Sequence, residues 1–198
     1  MKTLIVYAHP EPRSLNSSLK DHAVSTLETA GHEVRVSDLY AMNWKAVVDA
    51  ADFGPSASHP LNVAHDSGRA FKAGTLASDI LAEQEKVLWA DTIIMQFPMW
   101  WYTMPAILKG WVERVFTFNF AYGVGEHSDA RFGDRFGEGT LVGRKALLSV
   151  TIGARNRITP LAGSRAPSMI CCSRSSTASS GIRASRYCRR SWCSVPPG

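Results

Sequence analysis

Three near-continuous apolar runs constrain this chain most: TLIVYAH (3–9), DTIIMQFP (91–98) and RKALLSVTIG (144–153). A strand apolar along its whole length, rather than at alternate positions, is covered on both faces, as in a parallel sheet flanked by helices. After the first run, Leu19, Ala23, Val24 and Leu27 recur at helical spacing, with Ser14 or Asn16 available as N-cap and Gly31 just past the end. HEVRVSDLY (32–40) then alternates as a further strand. Leu76, Ile80, Leu81, Val87 and Leu88 define a second helix, and Pro105 opens a third carrying Ile107, Leu108, Trp111, Val112 and Val115. Residues 41–75, punctuated by Gly54-Pro55, His59-Pro60 and Asp66-Ser67-Gly68, and the Gly-rich, aromatic residues 118–143 read as long loops, which in a compact domain are more often functional than idle. The order β-α-β-loop-α-β-α-loop-β predicts an open, doubly wound α/β domain with a parallel sheet.

The pattern stops at Gly153. The chain of 198 residues has a formal charge of +5, but residues 154–198 hold eight Arg and no Lys, Asp or Glu, which leaves residues 1–153 at −3. All four cysteines, Cys171, Cys172, Cys188 and Cys193, also fall after the break. The first 153 residues therefore read as a mildly acidic, cysteine-free domain, expected in a reducing cytoplasm. The opening apolar run is too short for a secretory signal, and nothing approaches the ~18 apolar residues of a membrane span. Neither membrane insertion nor nucleic-acid binding is expected.

In a doubly wound sheet, ligands bind beyond the carboxyl ends of the strands. The first strand exit, HPEPRSLNSS, lacks both G-x-G-x-x-G and the P-loop pattern. It offers Ser14, Asn16, Ser17 and Ser18 at a helix start, where hydroxyls and free N–H groups can hold a phosphate or simply cap the helix. The third exit, PMWWYTMP, places Trp100, Trp101 and Tyr102 side by side. Three adjacent aromatics cannot all enter one core, so they form either a wall for a planar ring or an oligomer contact. Phosphate at one end and a flat ring at the other describe a flavin. Residue types alone assign no catalytic residue, and His9 receives no proton-transfer role.

VYAHPEPRSLN, VSDLYAMN, FKAGTLASDILAEQ and above all QFPMWWYTMPAILKGWVERVFTFNFAYG resemble the flavodoxin-like NAD(P)H:quinone oxidoreductases, the DT-diaphorase type and its bacterial relatives, over residues 2–153. The resemblance implies a sheet of order 2-1-3-4-5, a homodimer, bound FAD (or FMN) with NAD(P)H as co-substrate, and two-electron hydride reduction of quinones by a ping-pong mechanism. An ancillary flavin-binding subunit of a potassium-efflux system is the alternative the same fold allows. By position, His9, Leu15 and Asn16 match the first flavin loop, reaching the phosphate end. Pro98, Met99, Trp100, Trp101 and Tyr102 match the loop along the flavin ring. Thr151, Ile152 and Gly153 match the third flavin loop, and Ala121, Tyr122 and Gly123 match the border of the substrate pocket. No metal site is implied.

The resemblance ends at Ala154, where the family continues with a second glycine, a Tyr and a His near the flavin, a helix and a fifth strand. Permitted codons for Ile170–Ser179, read two nucleotides later, give LLFPIQHGI; the same shift gives PESHYTARGLKGAIND before it and LWYPGIEVLPPFVV after it. Those strings resemble the absent segment. Residues 154–198 are therefore expected to be an out-of-frame, disordered tail, with the fifth strand missing and the fourth left as a bare edge. A disordered basic arm would fit the arginines but lacks aromatic–basic interleaving, and a zinc site would want C-x2-C pairs that the tail does not have.

Overall fold

A computed structural model describes residues 1–128, 131–134, 138–153 and 168–174. Strands β1 (Lys2–Tyr7), β2 (Glu33–Asp38) and β3 (Thr92–Pro98) alternate with helices α1 (Leu15–Thr29), α2 (Val63–Ala73), α3 (Ser78–Trp89) and α4 (Ala106–Val115). A two-residue hairpin follows, β4 (His127–Ser128) with β5 (Arg131–Phe132), and then β6 (Lys145–Ile152) and β7 (Ser168–Arg174). The main sheet runs β2-β1-β3-β6-β7. Its first four strands are parallel, with Tyr7 beside Asp38 and Gln96, and Pro98 beside Thr151. This is the expected doubly wound order 2-1-3-4.

The fifth position differs from expectation. Ser168–Arg174 pairs antiparallel with β6, from Ile152↔Ser168 to Ala146↔Arg174. The edge expected to be bare is thus paired, because a strand's outward N–H and C=O groups template any extended segment that reaches them. No fifth parallel strand occurs among the described residues. Residues 154–167 and 175–198, where the rest of the expected tail falls, lie outside them.

The sheet's two faces are filled unequally. Leu4 and Val6 of β1, with Ala8 just past its end, join Ile93 and Phe97 of β3 and Val150 of β6 in one buried cluster with Ala70 of α2, Ile80 and Val87 of α3, and Leu108, Trp111 and Val115 of α4. On the opposite face, α1 buries only Asn16 and Ser17; its Leu19, Ala23, Val24 and Leu27 stay half-buried. β1 is buried from Thr3 through Tyr7, whereas β6 still exposes Lys145, Ala146 and Leu148.

The segment read as a loop over residues 41–75 contains α2. Asn62 caps it, its side chain accepting from the His65 N–H, and Gly74 ends it in the left-handed region at φ 66°. Asp66-Ser67-Gly68 looks like a turn but sits inside the helix because tertiary contacts satisfy it. Buried Asp66 accepts from the Ser58 N–H (2.9 Å) and the Asn62 N–H (3.1 Å), and pairs with Arg69. Its carboxyl is depressed below the usual Asp range: burial alone would raise it, but the Ser58 and Asn62 bonds and the Arg69 charge outweigh that. Gly68 makes room for Phe118, whose ring would lie 2.6 Å from an added Cβ. The remainder of the excursion is tied to α4. Gly110 lies so close to the chain at Ala46 that an added Cβ would meet the Ala46 carbonyl at 2.1 Å, and buried Arg114 bonds to Asp52, Asp79 and the Lys45 carbonyl.

Candidate active site at the strand ends

Three loops leave the carboxyl ends of β1, β3 and β6 on the same side of the sheet, and they enclose one cavity of about 670 Å³. It is lined by His9, Ser14, Leu15 and Asn16 from the first loop, Pro98 to Tyr102 from the second, and Thr151, Ile152 and Gly153 from the third. All eleven positions matched to the flavin loops therefore meet in one place. Ser14 joins them as a residue considered for phosphate binding or capping but absent from the matched set.

The first loop is built by local hydrogen bonds. The His9 Nδ1 accepts the Glu11 N–H at 3.1 Å, fixing the ring against the loop. Ser14 is the N-cap of α1: its hydroxyl accepts from the Ser17 N–H at 3.1 Å. Asn16, the other capping candidate, instead turns inward. Its amide Nδ2 donates to Thr151 Oγ1 at 2.9 Å, and its Oδ1 accepts from Gln96 Nε2 at 3.2 Å and from the Thr151 hydroxyl at 3.2 Å. All three side chains are buried. A buried polar side chain without a partner costs about 1–3 kcal/mol, so this linkage joining α1, β3 and β6 is what lets them sit beneath the cavity.

The second loop is a two-residue hairpin. Trp100 and Thr103 exchange both N–H···O bonds at 3.0 Å, and the intervening Trp101 and Tyr102 adopt φ of 50° and 61°. Positive φ at both central residues is the geometry of a type I′ turn, normally occupied by Asn-Gly. Here two bulky aromatics occupy it and stand 93% and 94% exposed, while Trp100 is half as exposed and packs toward His9 at 6.2 Å between ring centroids. Of this loop's N–H groups, those of Met99, Trp100 and Thr103 are spent on backbone carbonyls. Those three donors are therefore not available to a ligand. A left-handed non-glycine residue costs about 1–3 kcal/mol. Trp101→Asn combined with Tyr102→Gly is therefore expected to raise unfolding stability by about 1–2 kcal/mol, while weakening binding of any planar ligand. Urea titration beside a ligand titration checks both; an unchanged urea midpoint would remove the strain argument.

Ala121, Tyr122 and Gly123 do not line this cavity. They close a tight turn after α4, in which the Asn119 N–H donates to the Tyr122 carbonyl at 2.7 Å and the Tyr122 ring meets Phe118 edge-on at 5.4 Å. Gly123 is required there, since at φ 68° an added Cβ would lie 2.1 Å from the Phe118 ring. The residue that sequence reading missed is Gln96. Its signal was present: one polar side chain in the otherwise apolar run IIMQFP (93–98) must find a buried partner. Among the described residues no cluster of His, Cys, Asp or Glu is arranged to hold a metal, and no helix is long and apolar enough to cross a membrane.

This geometry can be set beside known proteins. A ribosyldihydronicotinamide dehydrogenase-like protein of Penicillium crustosum is 55% identical over 155 residues, 77% of this chain and 58% of that protein. Human ribosyldihydronicotinamide dehydrogenase (quinone) is 46% identical over 154 residues, 77% of this chain and 63% of its own length. A solved structure of a candidate quinone reductase from Klebsiella pneumoniae is 60% identical and superposes with a TM-score of 0.74, covering 77% of this chain and 60% of that one. The chain thus spans about three fifths of the length of the curated relatives it matches. Residues 1–169 match the family model described by a flavodoxin-like fold, and with its parallel 2-1-3-4 order and a cavity at the strand ends, the chain belongs to that flavodoxin-like family.

Proposed function

We propose that this chain is a flavin-dependent NAD(P)H:quinone oxidoreductase that reduces quinones by two electrons, with FAD as the flavin and NAD(P)H as the reductant, working as a homodimer in the cytoplasm. The observation that carries the reading is the single cavity that gathers all three strand-exit loops. Its volume lies within the roughly 300–1,000 Å³ of small-molecule sites. Its chemistry also suits a flavin, with hydrogen-bonding side chains at the start of α1 and an aromatic wall from Trp100 to Tyr102. The human relative is named for a reduced nicotinamide donor, ribosyldihydronicotinamide, and for quinone, and the Klebsiella structure for quinone reduction, which supports a reduced nicotinamide and a quinone as the substrate classes. None of those relatives supports the ancillary-subunit alternative.

A bound flavin supplies hydride acceptance and donation at one ring. The chain's own residues would do the rest. Asn16 and Ser14 hold the end nearest α1, Trp100 and Met99 pack along the ring, and the Thr151–Gly153 backbone closes the far side. Trp101 and Tyr102, exposed on the hairpin, are placed to exclude water once a nicotinamide or quinone lies over the ring. The test is oxidation of NADH or NADPH by the purified chain with added FAD, with and without menadione. Menadione-dependent turnover is expected; its absence with both nucleotides and with either FAD or FMN would overturn the reading.

We infer further that residues 154–198 are an out-of-frame translation appended to the flavodoxin-like residues 1–153. The charge and cysteine break at 153/154 and the family-like strings in the shifted frame support this. The two curated relatives above align over about 155 residues, while the family model runs on to residue 169. Sequencing the coding DNA across codons 150–198 decides it: an early stop or unrelated residues in the shifted frame would end the inference.

A further inference from the structure

We propose that Thr151 is a positioning residue: it ties the start of α1 to the loop that carries the aromatic wall, and so sets the separation between the two ends of the flavin. The proposal rests on the flavin reading above.

Thr151 is hydrogen-bonded to both of the other cavity loops. Its carbonyl accepts the Met99 N–H of the second loop at 2.8 Å. Its hydroxyl contacts both polar atoms of the Asn16 amide in the first turn of α1, Nδ2 at 2.9 Å and Oδ1 at 3.2 Å. A hydroxyl both donates and accepts, so this contact survives reversal of the Asn16 amide and does not depend on which way the Gln96 amide lies. Asn16, Met99 and Thr151 all line the cavity.

The tie is needed because the sheet fixes only the strand ends. β3 and β6 stay in register up to Pro98 beside Thr151, which places the second and third loops. α1 begins only after the loop from His9 to Ser14, whose bonds are local: the Glu11 N–H to His9, the Arg13 N–H to Glu11 and the Ser17 N–H to Ser14. Among the described residues, the hydrogen bonds that join the start of α1 to the sheet are those of the Asn16 side chain to Thr151 and Gln96. Asn16, Gln96 and Thr151 are 5%, 3% and 8% exposed, so water does not compete for these bonds. A ligand that reaches from the first turn of α1 to the aromatic wall gains from a fixed separation, because each of its ends is presented where the other requires it. A flavin ring alone, touching only the wall, gains nothing from it.

The test uses the apoprotein of the full chain as wild type, Thr151→Val, Thr151→Ser, Asn16→Ala and the double variant Asn16→Ala with Thr151→Val. Dissociation constants for FAD and for lumiflavin, the flavin ring without its side chain, are measured by fluorescence at a temperature where thermal melts show each form folded. Thr151→Val keeps the side chain's shape and removes its hydroxyl. It is expected to weaken FAD binding at least about tenfold and lumiflavin binding less than about threefold. Thr151→Ser, which retains the hydroxyl, should bind FAD within about threefold of wild type. In the Asn16→Ala background, Thr151→Val should change FAD binding less than about twofold, because the partner through which Thr151 acts is gone. Unchanged FAD affinity in Thr151→Val, equal losses for FAD and lumiflavin, or a loss in Thr151→Ser as large as in Thr151→Val would each overturn the positioning role. So would a full further loss in the Asn16→Ala background, which would make Thr151 a direct ligand contact. Wild type that binds neither FAD nor lumiflavin would instead overturn the flavin reading, and this proposal with it.

Discussion

Arg114→Met is expected to destabilise the fold by about 3–5 kcal/mol, the range found when one partner of a buried ion pair is removed. Every donor of this guanidinium is used. Its Nε and one terminal nitrogen grip the two Asp52 oxygens at 3.1 and 2.9 Å, and its terminal nitrogens reach Asp79 at 2.7 and 3.1 Å and the Lys45 carbonyl at 3.0 Å. The Trp44 ring lies 4.6 Å below. Methionine fills comparable space but leaves the buried Asp52 with the Asp49 N–H and, as counter-charge, Lys45, whose ammonium it shares with Asp49. Arg114→Lys should recover less than half of the loss, because one ammonium cannot serve two carboxylates and a carbonyl from one fixed plane.

The same cluster sets an acid limit. Burial of Asp52 would raise its pKa, but the hydrogen bonds and charges of Arg114 and Lys45 outweigh that and hold it below the usual Asp range. A carboxyl lowered by folding contributes stability that is complete above its unfolded pKa of about 3.9 and is lost as pH falls through the lower folded value. In Arg114→Met the lowering disappears, so the acid-unfolding midpoint should move up in pH. Circular dichroism across pH 2–7 in a fixed sub-denaturing concentration of urea reads both effects. A wild-type midpoint would show that the cluster is neutral to stability.

How much of this was legible in the chain differs from element to element, for physical reasons. β1 and β3 announced themselves because burial on both faces leaves no polar alternation, and α4 did so because Pro105 and the Leu108, Trp111 and Val115 spacing admit one period. Asp66-Ser67-Gly68 misled because its helix depends on partners distant in sequence, namely Ser58 and Phe118. The cavity residues could be placed by resemblance. The hairpin at Trp101 and Tyr102 could not, since nothing in a Trp-Tyr pair signals left-handed backbone. Nor could periodicity show that a polar residue in β3 would reach Asn16 at the start of α1. The strand Ser168–Arg174 was invisible to pattern reading because its pairing with β6 follows from an open edge rather than from its own sequence.

Replacing residues 154–198 with the shifted-frame segment is expected to tighten FAD binding at least about tenfold, or 1.4 kcal/mol, and to raise the melting temperature. The described residues show where such a segment would act. α1 has no fully buried apolar side chain, although α4 on the opposite face has three, Leu108, Trp111 and Val115. β6 leaves Leu148 38% exposed even with a neighbour on each side. A doubly wound domain needs helices over both faces of its sheet, and one amphipathic helix beside α1 would bury apolar surface worth about 25 cal/mol per Å². The shifted frame offers such a stretch in ARGLKGAINDLLFPIQHGI, and its IEVLPPFVV is suited to pair with β6 in parallel. Both follow Thr151–Gly153, so ordering them would also brace the third loop of the cavity. The comparison is made on the two purified chains by FAD titration and thermal melt. Equal affinity and equal melting temperature would mean that residues 1–153 complete the site unaided and that the tail, whatever its origin, is neutral.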